Sequence, residues 1–314
     1  LITGPEGTGK ATLAYRLARF LLANTGKAED LSVPHHDPTA KLINSGAHPD
    51  LITLERGVDE KKGKVLKNIP IEEVRKIAPF LHLTSSQGGW RIVVVDGADA
   101  LNRGGGQQTL LKILEEPPER SMLILTAEVP GMLLPTIRSR CRVLKLEALA
   151  PEDLRQISEG FGLADVEEPV RDALIRMSQG SAARLMRYSR NEAHVLFQNW
   201  CEFLGDPMNS LRRLRLAEAW SSKSEEGITD TAMEVMFNWL QGVVRSKATG
   251  KTHLPILAAE QPLITRLYGR LKLESLLELW ENLKEQQRQM ESANLDARAV
   301  LLGMLDRTAE TLAA

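Results

Sequence analysis

The sequence predicts a parallel α/β domain followed by helices alone, and three observations carry that prediction. Short apolar strand candidates alternate with helical patterns through the first half, the order that builds βαβ units with helices on both faces of a sheet. After Ala150-Pro151 the strand signal stops, while leucine, alanine, glutamate, arginine and lysine continue at helical spacing. Aromatic residues make up only 4% of the chain, which favours helix over sheet. At 314 residues one hydrophobic core does not hold everything, so two or three domains are expected.

The elements follow in order. Leu1-Ile2 leaves the first strand almost missing, and without an initiator methionine the chain is expected to continue upstream. A helix from Lys10 to Ala23 carries Leu13, Leu17 and Leu21 on one stripe. The polar stretch Asn24 to Pro49 reads as a loop; it holds His35, His36 and His48, with Asp37 and Asp50 nearby, but no short metal-site spacing, so no metal is expected. Asp50 to Leu54 is a strand, and the lysine- and glutamate-rich Arg56 to Asn68 a hairpin-like excursion or loop. Then come a helix over Ile71 to Leu81, a buried strand over Trp90 to Asp96, and a helix over Gln107 to Glu115. The last places Leu110, Leu111 and Leu114 together and stops at Pro117-Pro118, which can neither donate nor continue it. Met122 to Thr126 and Arg142 to Leu146 complete the strands. The remaining helices fall into two groups separated near Tyr188 to Glu192, with long members such as Thr229 to Ser246 and Leu273 to Met290.

Composition narrows the class. Hydrophobic residues at 43% and charged residues at 26% are globular values. No apolar run approaches a membrane span, and two cysteines, Cys141 and Cys201, support neither a disulfide framework nor a cysteine zinc site, so a reducing cytoplasm is expected. A net charge of -1 gives no bulk attraction for nucleic acid; any DNA contact is local or shared with partners.

The chemistry lies in two motifs. Gly4-Pro5-Glu6-Gly7-Thr8-Gly9-Lys10 fits the first seven positions of a P-loop between a strand and a helix. Gly4, Gly7 and Gly9 let the backbone curl around phosphate, Lys10 adds a point charge and the helix start adds its dipole. The next position normally carries a magnesium-binding hydroxyl, and here it is Ala11; Thr12 is the nearest hydroxyl but is rotated about 100° around the helix. The second motif is Ile92-Val93-Val94-Val95-Asp96, a strand ending in a carboxylate that can organise a metal-nucleotide. A carboxylate to polarise the attacking water is missing from the next position, Gly97, and Asp99 reads as a structural or capping residue rather than a general base. Two losses at one site predict impaired hydrolysis.

The P-loop, Val93-Val94-Val95-Asp96-Gly97-Ala98-Asp99, Leu110-Leu111-Lys112-Ile113-Leu114-Glu115-Glu116-Pro117-Pro118 and Thr136-Ile137-Arg138-Ser139-Arg140-Cys141 stand in an order that resembles the clamp-loader branch of the AAA+ proteins, and within it the bacterial DNA polymerase III type. The resemblance implies an AAA+ P-loop domain over 1–147, a helical lid over 148–191 and an all-α collar over 192–314. It also implies a hetero-pentameric ring with other clamp-loader subunits, a sliding clamp and primer-template DNA as partners, and no membrane. Gly4, Gly7, Gly9, Lys10, Thr12 and Asp96 become the nucleotide-site candidates, with ATP or ADP weakly or structurally held and no zinc. Through Ala11 and Gly97 the chain is similar to the subunits with little or no ATPase or polymerase activity of their own, whose contribution is an arginine reaching a neighbour's ATP site. Arg140 is the matching residue, with Arg138 and Arg142 as competitors; an active ATPase of the tau/gamma or replication factor C type is the alternative. Thr126 is the nearest match to a first sensor, while Gly180-Ser181-Ala182-Ala183-Arg184 places the second sensor's arginine one residue late. Collar contacts are expected on Trp239, Leu240 and Val243, or on Leu276, Leu277 and Leu279.

Overall fold

The computed structural model describes residues 1–23, 29–59, 64–86, 89–221, 227–251, 255–257, 260–293 and 295–313. The chain divides into two compact units, Leu1–Ala148 and Leu149–Ala314.

The first unit runs β1 (Ile2–Thr3), α1 (Lys10–Leu22), α2 (Pro38–Asn44), β2 (Leu51–Leu54), β3 (Val58–Asp59), β4 (Lys64–Val65), α3 (Ile71–Arg75), α4 (Ile77–His82), β5 (Arg91–Val95), α5 (Gly106–Glu115), β6 (Ser121–Ala127), α6 (Pro135–Arg140) and β7 (Leu144–Lys145). Five strands form one sheet in the order β2-β5-β6-β1-β7, with every neighbouring pair parallel. All five residues of β5 are buried, as a central parallel strand requires. Its side chains alternate between two cores: Ile92 and Val94 join Ile2, Ala14, Ala18 and Ile124, while Val93 and Val95 join Ile77, Leu110 and Leu125. Each such burial contributes about 1.5–3 kcal/mol, so the strand is fixed from both faces.

Two local readings change. The stretch read as a loop contains α2, started by Pro38 and capped by Asp37, whose carboxylate accepts from the Thr39 N–H at 2.8 Å. The segment read as one helix over Ile71 to Leu81 is two, because Pro79 has no N–H to give the Arg75 carbonyl and is accommodated in the first turn of a new helix. The excursion after β2 is a hairpin with Val58 opposite Val65; its turn lies outside the described residues.

The end of the sheet where β2 and β5 begin is held by a polar cluster around Asp50, which is 1% exposed. Asp50 accepts from the Ser86 N–H at 3.0 Å and from the Ser85 and Ser86 hydroxyls, and it faces the Arg91 guanidinium at 3.5 Å. Arg91 also donates to the Phe80 and Thr84 carbonyls and lies over the Phe80 ring. His48 accepts from the Asp50 N–H at 3.1 Å, and burial, partly offset by Asp50, lowers its pKa. Burial alone would raise the Asp50 pKa, but the serine hydrogen bonds and Arg91 outweigh it and hold the carboxyl below its ordinary value.

The second unit is helical throughout its described residues: α7 (Pro151–Gly160), α8 (Glu168–Ser178), α9 (Ala182–Arg190), α10 (Ala193–Gly205), α11 (Ser210–Trp220), α12 (Ile228–Thr249), α13 (Gln261–Arg270), α14 (Leu273–Ala293) and α15 (Ala297–Ala313). Its centre is aromatic: the Trp200 ring lies 5.3 Å from Phe203 and 5.9 Å from both Trp220 and Trp239. Trp239 donates its indole N–H to the fully buried Glu260 at 2.7 Å. Leu185 and Tyr188 of α9 share this core with Ala193 and Phe197 of α10, so apolar packing is continuous across residues 191 and 192. The Cys201 thiol is buried in the same core, its pKa pushed up to about 12 by burial and then by Glu260 and Glu202. The faces expected to contact other subunits are largely internal: Trp239, Leu240, Val243, Leu276 and Leu279 are buried, and only Leu277 of that set is exposed. Leucine-rich stripes at helical spacing satisfy an internal bundle first. No helix among the described residues is long and apolar enough to cross a membrane.

Asp50→Asn should destabilise the first unit by about 3 kcal/mol, because it leaves the buried Arg91 without its counterion. Since the folded-state pKa of Asp50 is depressed, its contribution is complete above about pH 4 and is lost as pH falls through the lowered value. Urea melts across that range should show wild type losing stability toward the variant; parallel curves for the two proteins would refute the assignment.

Candidate functional site

The P-loop is built where β1 ends at the sheet's carboxyl edge. Gly4 has φ 154° and runs so close to β7 that a Cβ would stand 2.5 Å from the Leu146 carbonyl oxygen, so no larger residue fits. Gly9 is left-handed, with φ 88° and ψ 20°, and starts α1 without any side-chain cap. The first N–H groups of α1 have no acceptor within the helix, which makes this end a place for an anion. Thr8 closes the loop by donating to the Pro5 carbonyl at 2.9 Å.

Lys10 is buried and turned back on the loop. Its ammonium donates to the Gly4 carbonyl at 3.0 Å and the Pro5 carbonyl at 2.6 Å, and it stands 3.6 Å from a Glu128 carboxylate oxygen. Ala11 offers no hydroxyl, and Thr12 is exposed on α1, apart from the side chains that line the adjoining cleft.

Asp96 follows β5 and Thr126 lies in β6, its neighbour in the sheet. The Thr126 hydroxyl donates to Asp96 at 2.6 Å and accepts from the Gly97 N–H at 2.8 Å, bridging the two strand ends. Asp99 accepts from the Glu128 N–H at 3.0 Å and the Val129 N–H at 2.8 Å. It therefore ties down the exit from β6, a structural role rather than a helix cap, while still bordering the cleft beside Asp96. These groups border a cleft of about 410 Å³ to which Lys10, Glu55, Arg56, Lys67, Asp96 and Glu128 contribute. Its side chains supply neither a metal-binding hydroxyl beside Lys10 nor a carboxylate after Asp96. Among the described residues no group of three His, Cys, Asp or Glu side chains is placed to hold a metal ion.

The structure thus brings Gly4, Gly7, Gly9, Lys10 and Asp96 to one edge and leaves Thr12 aside. Sequence reading missed the engagement of Glu128, Arg56 and Lys67. The contact of Glu128 with Lys10 follows from β6 lying beside β1, a neighbour relation that spacing along the chain does not encode.

Arg140 lies at the end of α6. Its guanidinium meets Glu115 of α5 at 3.0 Å and donates to the Thr136 carbonyl at 3.2 Å, with both charged side chains partly exposed. Arg138 and Arg142 are exposed neighbours. In the second unit Ser181 caps α9 by accepting from the Arg184 N–H. Arg184 spends its guanidinium on Glu234 at 2.8 Å and the Ser178 carbonyl at 3.1 Å, and Arg187 reaches the other Glu234 oxygen at 2.6 Å.

A family model described as DNA polymerase III, delta subunit, matches residues 1–150. The chain is 28% identical over 313 residues to the DNA polymerase III subunit delta' of Pseudomonas aeruginosa, covering 97% of this chain and 89% of that protein. It is 33% identical over 205 residues to the Escherichia coli delta' subunit, covering 64% of this chain and 55% of that protein. For the Bacillus subtilis delta' subunit the figures are 31% over 193 residues, 61% and 54%. With the P-loop and the parallel sheet in place, the chain is thus similar to bacterial DNA polymerase III delta' subunits, and its first 150 residues match the DNA polymerase III, delta subunit, family model.

Proposed function

We propose that the chain is a largely non-hydrolysing subunit of a cytoplasmic clamp loader that donates Arg140 to the ATP site of a neighbouring subunit. On this reading it joins tau/gamma and delta subunits in a hetero-pentameric ring that places a sliding clamp on primer-template DNA. Residues 148–191 serve as the lid and 192–314 as the collar that holds the ring. Its own P-loop binds ATP or ADP weakly or as a structural element.

The observation that carries the proposal is the state of Arg140. Its guanidinium is held at a helix end by one carboxylate and one carbonyl, part-exposed and oriented before any partner arrives. A guanidinium stays charged and can bridge two phosphoryl oxygens, so exchanging Glu115 for a neighbour's phosphate keeps its charge satisfied throughout. The weak hydrolysis rests on Ala11, on Gly97 and on the capture of Asp99 by two backbone N–H groups.

Two measurements test this. The isolated chain should turn over ATP at background level; a steady rate near the enzyme median of about 10 s⁻¹, abolished by Lys10→Ala, would overturn the non-hydrolysing assignment. In reconstituted rings Arg140→Ala should leave assembly intact, since a partly exposed ion pair is worth about 1 kcal/mol or less, yet lower DNA-stimulated ATPase and clamp loading. An arginine finger is worth about 10³ to 10⁵ at its own site, but total turnover falls only by the share of that interface. Arg138→Ala and Arg142→Ala are expected to be milder; damage by either one, with Arg140→Ala silent, would move the role.

A further inference from the structure

We propose that Glu128 is an internal anion that competes with nucleotide phosphate for Lys10, so that this chain's P-loop holds nucleoside di- and triphosphates only weakly. The inference deepens the reading of the P-loop as a non-hydrolysing site and assigns its low occupancy to one side chain.

An ammonium has three donor directions. Two of those of Lys10 are taken by the Gly4 and Pro5 carbonyls, and the Glu128 carboxylate stands 3.6 Å away as its ion-pair partner, all from its own chain. In a P-loop the lysine must reach the outer phosphates, so a bound nucleotide has to displace Glu128 or accept its negative charge alongside. Glu128 is not placed by chance. Its backbone N–H is fixed by Asp99 at 3.0 Å, and β6, which leads into it, pairs with β1, which leads into the P-loop, with Ile2 opposite Thr126 and Thr3 opposite Ala127. The cleft as a whole also opposes a polyanion. Glu55, Asp96, Asp99 and Glu128 outnumber Lys10, Arg56 and Lys67 there, and losing the Glu128 charge brings the two signs level. Glu128 is half exposed, so the carboxylate can swing aside, and the competition should weaken as salt screens it.

The test is calorimetric titration of the full chain with Mg-ADP and Mg-ATP, comparing wild type, Glu128→Gln and Glu128→Gln/Lys10→Ala. Glu128→Gln should bind both nucleotides about tenfold more tightly than wild type at low salt, with the larger gain for ATP because it carries more charge near Lys10. The double variant should lose that gain. Affinities of wild type and Glu128→Gln within about twofold, including failure of both to bind, would overturn the proposal, as would a gain that survives loss of Lys10. Thermal melts of the three proteins identify any unfolded variant; Glu128→Ala then replaces Glu128→Gln under the same criteria. The role of Arg140 is read in assembled rings and does not depend on affinity here, so the two proposals fail separately.

Discussion

Everything at the sheet's carboxyl edge depends on two residues of β1 lying between β6 and β7. Thr3 pairs with Ala127 on one side and with Lys145 on the other, so the loop that follows leaves the sheet beside the end of β6 and beneath the start of the chain beyond β7. That register brings Glu128 beside Lys10 and forces Gly4 against the Leu146 carbonyl. A one-residue slip would turn β1 over and point Ile2 away from Ala14 and Ala18. The apolar packing of a single isoleucine and the geometry of the phosphate loop are therefore enforced by the same pairing.

The second unit is organised differently. Among its described residues no ladder sets a register, and its specificity comes from aromatic volume at the centre and from charged pairs near the edge of the core. Glu234 gathers Arg184 and Arg187 from α9 onto α12, while Glu260 reaches the Trp239 indole and the Ile256 N–H. Asn238 donates to the Tyr188 hydroxyl between the same two helices. A buried carboxylate with each oxygen satisfied fixes helix rotation more sharply than leucine contacts alone, which tolerate sliding.

How much of this was legible in the sequence varies with the range of the interaction. β5 could be read directly because a four-residue apolar run followed by a carboxylate has few other uses, and α5 because two prolines stop it. The P-loop was legible because glycines at fixed offsets beside a lysine encode a backbone path. Pro79 was present in the segment read as one helix, and its missing N–H was the available signal for two. Asp37 before Pro38 was likewise a cap signal that the histidines nearby obscured. The rest was not encoded locally. Asp50 finds Ser85, Ser86 and Arg91 only after the sheet assembles, and Glu128 meets Lys10 across more than a hundred residues. The leucine faces of α12 and α14 show why periodicity cannot separate a subunit interface from an internal core: both need the same stripe.

The placement of the tryptophans has an optical consequence. Of the five in the chain, Trp200, Trp220, Trp239 and Trp280 belong to the second unit, and Trp90 alone belongs to the first. Trp200 is in ring contact with both Trp220 and Trp239, close enough for excitation energy to pass through it. Intrinsic emission of the native protein is thus a report from the helical unit, nearly blind to the nucleotide-type domain. Trp90 stands just before β5, on the same side of the sheet as α1; with the other four replaced by phenylalanine it would become a single-site dye for the P-loop domain, supplied by the natural sequence.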